Sequence, residues 1–153
     1  MKFISHRGNI SYKKESLENN PNYLFEAVEE GFDIEFDLWE INSKLYLGHD
    51  APQFEIDEKF LIQVEQKSWI HAKNINAASF LNETKFHWFW HENDKFTLTN
   101  KSIMWTYPGI FINNSIINQP ELIQFLALKN QKMNFYGVCA DNISAFKVIS
   151  NDL

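Results

Sequence analysis

Short apolar runs alternate with amphipathic stretches along the whole chain. Lys2 to Ser5 (KFIS) predicts a strand that ends at His6-Arg7-Gly8. Pro21 to Glu30 predicts a helix, with Asn19 or Asn20 as cap, Pro21 in the first turn and Gly31 as the stop. Phe32 to Trp39 alternates with period two and predicts a strand. Leu45 to Leu47 returns as a short strand after the turn-like Ile41 to Lys44. Further on come a helix over Ile56–Gln66, a strand over Trp69–Lys73 and a short helix over Asn76–Asn82. Strands over Phe86–His91 and Ile103–Thr106 follow, with shorter extended pieces at Phe96–Thr99 and Phe111–Ile112. A helix over Pro120–Asn130, a strand over Phe135–Ala140 and a helix over Ser144–Ile149 close the chain. Strands alternating with helices predict βα units and a largely parallel sheet, the α/β class, with chemistry gathered at the carboxyl ends of the strands.

The strand Phe32–Trp39 carries the first chemical signal. Residues two apart share a face, so Asp33, Glu35, Asp37 and Trp39 point one way and Ile34, Phe36 and Leu38 the other. Buried carboxylates need a partner to stay ionised, and a hard divalent cation with oxygen ligands would supply one. The competing reading is an edge strand with a solvated acidic face. At the end of the first strand, Arg7 offers a planar fork suited to phosphate oxygens, His6 is of the residue type suited to proton transfer, and Gly8 permits an unusual backbone or a close ligand approach. Alone, such a tripeptide is more often a surface turn. Leu47-Gly48-His49-Asp50 adds a second histidine just after the acidic strand, which permits paired acid and base chemistry; alone, it is usually a surface pair.

Composition narrows the setting. The chain has 153 residues, enough for one domain with a real core, here residues 1–153. Its net charge of −6, with no cluster of Lys and Arg, argues against nucleic acid as a partner. An anionic substrate would then need a local cation or a placed arginine. Aromatics reach 16%, which implies large side chains packed between layers or along a site wall. The lone Cys139 sits in the apolar run FYGVCA and reads as a core residue. No segment has the length of a membrane span or the apolar stretch of a signal peptide, so a cytoplasmic protein is expected.

The order HRG, Glu18-Asn19, the strand in AVEEGFDIEFDLW and the turn LGHD resembles the glycerophosphodiester phosphodiesterase family, and the resemblance covers residues 1–54. It implies a TIM-like (β/α) barrel, compact or trimmed because such barrels run to about 250 residues. It implies metal-dependent hydrolysis of a small phosphodiester. His6 and His49 would act as acid and base and Arg7 would bind the phosphate. Glu35 and Asp37 would hold one divalent cation, Mg²⁺ or Ca²⁺, with Glu18 supporting the metal. Where the family's next strand reads Glu-x-Lys, this chain has His71-Ala72-Lys73. Lys73 and His71 are therefore expected at the substrate, and Mn²⁺ becomes a candidate if His71 is a ligand. Trp105 is expected to stack on a sugar or alcohol group, and Asp141 to stand behind the site. A barrel opened by the short chain would be closed by a second copy, a homo-oligomer. The alternative is a module of the same descent that binds a phosphodiester or an anionic glycan without turnover.

Overall fold

The computed structural model of the protein describes residues 1–151. The elements run β1 (Lys2–His6), α1 (Pro21–Glu29), β2 (Asp33–Ile41), β3 (Lys44–Leu47), β4 (Phe54–Ile56), α2 (Glu58–Val64), β5 (Ser68–Ala72) and α3 (Ile75–Asn82). They continue with β6 (Trp88–Phe89), β7 (Phe96–Leu98), β8 (Met104–Thr106), β9 (Ile116–Asn118), α4 (Leu122–Asn130), β10 (Gly137–Ala140) and α5 (Ile143–Asn151). Asn20 caps α1 by accepting from Asn22 N, with Pro21 opening the helix as the pattern predicts. Asp57 caps α2 by accepting from Phe60 N, so that helix starts at Glu58 rather than Ile56. Phe54–Ile56 is left extended and pairs with β3.

The strands form one curled, mixed, ten-stranded sheet, a half-barrel rather than the expected TIM-like (β/α) barrel. Its spine is parallel: β6, β5, β2, β1, β10, β9 and β8 are neighbours in that order. The antiparallel strands β3 and β4 continue from the far half of β2, and β7 pairs antiparallel with β8. The alternation of strand and helix fails at β2–β3–β4 and from β6 to β9, where turns alone connect the strands. Those connections lack the ten or more residues with helical apolar spacing that a crossover helix needs. The expected strand at Phe111–Ile112 is also absent. Asn114 takes a left-handed turn at φ 61°, so the chain rejoins the sheet only at Ile116. Strands β6 and β8 meet through side chains instead of a ladder. The Phe89 and Trp105 rings stack with centroids 4.5 Å apart, while the turn between β7 and β8 adds one backbone bond to β6, Asn100 N donating to Trp88 O at 2.9 Å.

Two apolar layers result. Outside the sheet, Ile34, Phe36 and Leu38 of β2 pack with Leu24, Leu61 and Leu81 of the first three helices. Ile117 and Val138 pack with Phe125 and Phe146 of the last two. Each such side chain stabilises the fold by about 1.5–3 kcal/mol through burial. Inside the curl, Ile4, Trp69, Phe89, Trp105, Ile116 and Cys139 form an apolar plug. Below it Asp33 is held by Lys2 and Lys67. Above it, at the carboxyl ends of the parallel strands, the inward positions turn polar. No helix among the described residues is long and apolar enough to cross a membrane.

Candidate functional site

The register puts the polar residues together. Within the sheet His6 lies beside Glu35, and Asp37 beside His71. A cavity of about 500 Å³ opens over the plug, lined by His6, Arg7, Glu35, His49, His71 and Lys73. The structure thus brings to one place most of the residues expected from sequence. Asp37, fully buried, reaches the same group from beneath.

The backbone leaving β1 is unusual. Arg7 is left-handed at φ 53°, and its N and O are both bonded, to Glu35 O at 2.9 Å and from Asn19 N at 3.1 Å. The turn thereby folds the guanidinium back over the acidic strand. Arg7 Nε lies 3.0 Å from Asp37 Oδ2, and Nη1 donates to Glu18 Oε2 at 3.1 Å. Gly8, at φ 93°, makes the expected close approach, but to the Tyr23 ring rather than to a ligand position. A Cβ there would lie 2.6 Å from Tyr23 Cδ1.

Asn19 completes the clamp on Asp37. Its amide donates to Asp37 Oδ2 at 2.9 Å, and its carbonyl accepts from Asp37 N at 2.9 Å. His71 Nδ1 lies 3.1 Å from Asp37 Oδ1, and Lys73 Nζ 3.6 Å. Burial pushes the Asp37 carboxyl up, but His71, Arg7 and Lys73 together hold it well below the usual carboxylate range. Glu35 has a weaker escort, with nitrogens of His6 and His71 each 4.0 Å away. Burial and the charge of Asp37 push its carboxyl above the ordinary value.

The two catalytic candidates differ in setting. His6 Nδ1 lies 2.7 Å from Asp141 Oδ1, with Gln119 Nε2 at 2.8 Å competing for the same nitrogen. Burial pushes the Asp141 carboxyl up, but bonds from His6, Asn9 and Gln119 bring it below its ordinary value. An ionised carboxylate only accepts and an amide nitrogen only donates, so the two contacts call for opposite states of Nδ1; with the proton towards Asp141, Nε2 of a neutral ring keeps its lone pair towards the cavity. His49 stands at the rim, its Nδ1 2.7 Å from the exposed Asp50. Burial and the nearby Arg7 lower its pKa. The LGHD turn that places it depends on Gly48 at φ 150°, where a Cβ would lie 2.0 Å from Ala51 O.

Two expectations need correction. Glu18 does not join Glu35 and Asp37; it accepts from Arg7 and from Asn9, and its carboxylate groups with His6 and Asp141. The third group beside Glu35 and Asp37 is His71. Trp105 is 2% exposed and stacked on Phe89, so it forms the floor of the cavity and offers no open face for a headgroup. The exposed aromatics at the rim are Trp90 and Tyr107. Asn9 and Gln119 are new members of the site. Asn9 Nδ2 donates to both Glu18 and Asp141 at 2.9 Å, tying two carboxylates to one amide. Gln119 follows β9, the strand whose position the sequence pattern misjudged.

The donor set suits a divalent cation. Glu35 Oε2 and Asp37 Oδ1 are buried with no hydrogen-bond partner among the described residues. Four carboxylates (Glu18, Glu35, Asp37 and Asp141) face two fixed cations (Arg7 and Lys73), which leaves the group two charges short of neutrality. Asp141 is partly open to solvent, whereas Glu35 and Asp37 are buried, so it is at this pair that a cation would offset the most. No family model, no curated protein and no solved structure matches this chain.

Proposed function

We propose that the protein hydrolyses a small phosphodiester with the help of a divalent cation, in the manner of the glycerophosphodiester phosphodiesterases that its first 54 residues resemble. The observation that carries this reading is the convergence of His6, Arg7, Glu35, His49 and Lys73 on one cavity, with Asp37 buried beneath it. Phosphodiesters hydrolyse slowly because their oxygens repel a nucleophile, and catalysis requires positive charge where negative charge grows.

Arg7 and Lys73 supply fixed positive charge at the cavity floor. The Glu18 and Asp37 carboxylates hold Arg7 in place before substrate arrives, so little reorganisation is needed. Glu35 and Asp37 would hold the cation, which when bound supplies Lewis-acid stabilisation of the phosphoryl oxygens. His6 and His49 share the proton transfers: one takes a proton from the attacking hydroxyl or water, the other gives one to the departing alkoxide. Asp141 orients the His6 ring, and Asp50 that of His49.

The test is chelator-sensitive hydrolysis of bis-p-nitrophenyl phosphate and of glycerophosphodiesters by the purified chain. His6→Ala and His49→Ala should each lower turnover by about 10²–10⁴-fold. Near-full activity in both variants overturns the mechanism. Tight binding of a diester with no turnover would favour the non-catalytic module instead.

A further inference from the structure

We propose that Glu35, Asp37 and His71 form a mixed nitrogen–oxygen site that selects a transition-metal ion, zinc ahead of manganese, over magnesium and calcium. This deepens the proposed function and concerns the same cavity, but it rests on its own geometry.

The argument begins with the far side of the imidazole. His71 Nε2 lies 2.8 Å from His91 O. A carbonyl oxygen only accepts, so Nε2 carries the hydrogen and Nδ1 is the nitrogen left to bind something else. The ring cannot turn away, because it stacks on Phe89 with centroids 5.0 Å apart and planes within 9°. A histidine whose second ring nitrogen donates to a backbone carbonyl is the arrangement in which metal-binding imidazoles are commonly held.

What Nδ1 faces gives the second line. It lies 3.1 Å from Asp37 Oδ1 and 4.0 Å from Glu35 Oε1. With a neutral ring, Nδ1 and Asp37 Oδ1 turn lone pairs on each other. Asp37 Oδ1 has no hydrogen-bond partner among the described residues, nor has Glu35 Oε2, the oxygen that faces His6, and both residues are at most 3% exposed. Either a proton on Nδ1 or a cation shared by the three side chains resolves this. The separations of 3.1 and 4.0 Å suit the second, since ligand bonds of about 2.0–2.2 Å to nitrogen and oxygen span them. Magnesium and calcium prefer oxygen throughout, whereas manganese and zinc accept imidazole. The nitrogen therefore sets the preference.

The experiment measures binding of zinc, manganese, magnesium and calcium separately to the chelator-stripped full chain by calorimetry. His71→Ala should weaken zinc and manganese binding by more than the about 10–100-fold that loss of an outer-shell partner costs. His71→Glu, which restores an all-oxygen set, should lower the ratio of zinc to magnesium affinity by about tenfold or more. Nitrogen-15 NMR of histidine-labelled wild type needs no variant: zinc should shift His71 Nδ1 while Nε2 keeps its proton. An unchanged affinity ratio in His71→Glu, or a His71 Nδ1 that stays protonated at saturating zinc, overturns the proposal. Diester hydrolysis is measured in parallel. Turnover with an unchanged ratio removes this inference and leaves the proposed function standing. Zinc bound through His71 with no turnover under any metal does the reverse.

Discussion

Glu35→Gln should make the metal-free protein more stable while removing its response to metal. Glu35 is 3% exposed, and burial together with the charge of Asp37 raises its pKa above the ordinary 4.5. A carboxyl whose pKa rises on folding favours the native state below its unfolded pKa. That contribution is lost as pH climbs through the raised value, so at neutral pH ionised Glu35 is a cost. The ligand oxygens of Glu35 and Asp37 lie within 4.8 Å of one another. Two unit charges at that separation repel by about 3 kcal/mol at an effective dielectric near 20. His6, Arg7 and His71 offset part of this. Removing the charge should therefore leave a net gain of about 1–2 kcal/mol, the range common when a destabilised site is neutralised. For a domain of this size that is a rise in Tm of about 2–8 °C. The assay is thermal unfolding in chelator at pH 7.5 and at pH 4, then with added zinc. The wild type should gain about 2.7 kcal/mol at a zinc concentration 100 times Kd, and the variant much less. The advantage of the variant in chelator should shrink at pH 4, where Glu35 is protonated in both states. A variant less stable than wild type at pH 7.5 in chelator, or an advantage that does not change with pH, refutes the reasoning.

Two further predictions concern the frame of the site. His87 is buried against Trp69, and burial, with Lys101 nearby, lowers its pKa from 6.5 to about 4. Its neutral form is the one that folds, so stability should be complete above pH 6.5 and fall as pH drops towards 4, by at most about 3 kcal/mol; denaturant unfolding across this range should show the slope, and His87→Gln should flatten it. Asn19→Ala strips both hydrogen bonds from buried Asp37 at a left-handed position. It should cost about 2–4 kcal/mol in urea unfolding, since two buried polar groups lose partners; a loss below 0.5 kcal/mol would mean that Asn19 is not holding Asp37.

The parts of the site legible in sequence are those set by local periodicity and by short motifs. Glu35 and Asp37 were assignable to one inward face because a strand repeats every two residues, and Ile34, Phe36 and Leu38 duly face the helices. His6-Arg7-Gly8 and His49-Asp50 were visible as polar punctuation after apolar runs. Asn9 and Gln119 were not, because an amide in a turn carries no periodic signal. Gln119 matters through His6, 113 positions earlier in the chain, and Asp141, 22 positions later. Trp105 shows the opposite failure: an aromatic at a strand end looks like a platform until Phe89 is seen lying on it.

By itself the sequence determined most of the segments that extend or coil, though not β4 or β9, and which acids share a side, since these follow from spacing along a few residues. Only the tertiary structure decided how the sheet curls, that Glu18 holds Arg7 instead of joining Glu35 and Asp37, and that His71 turns Nδ1 to Asp37. Those outcomes depend on hydrogen-bond partners contributed by distant strands and loops, as when His91 O fixes His71. They depend as well on connections too short to hold a crossover helix, which left a half-barrel where alternating units were expected. Pairing between distant segments is set by which surfaces can bury one another in three dimensions, and no local repeat encodes that.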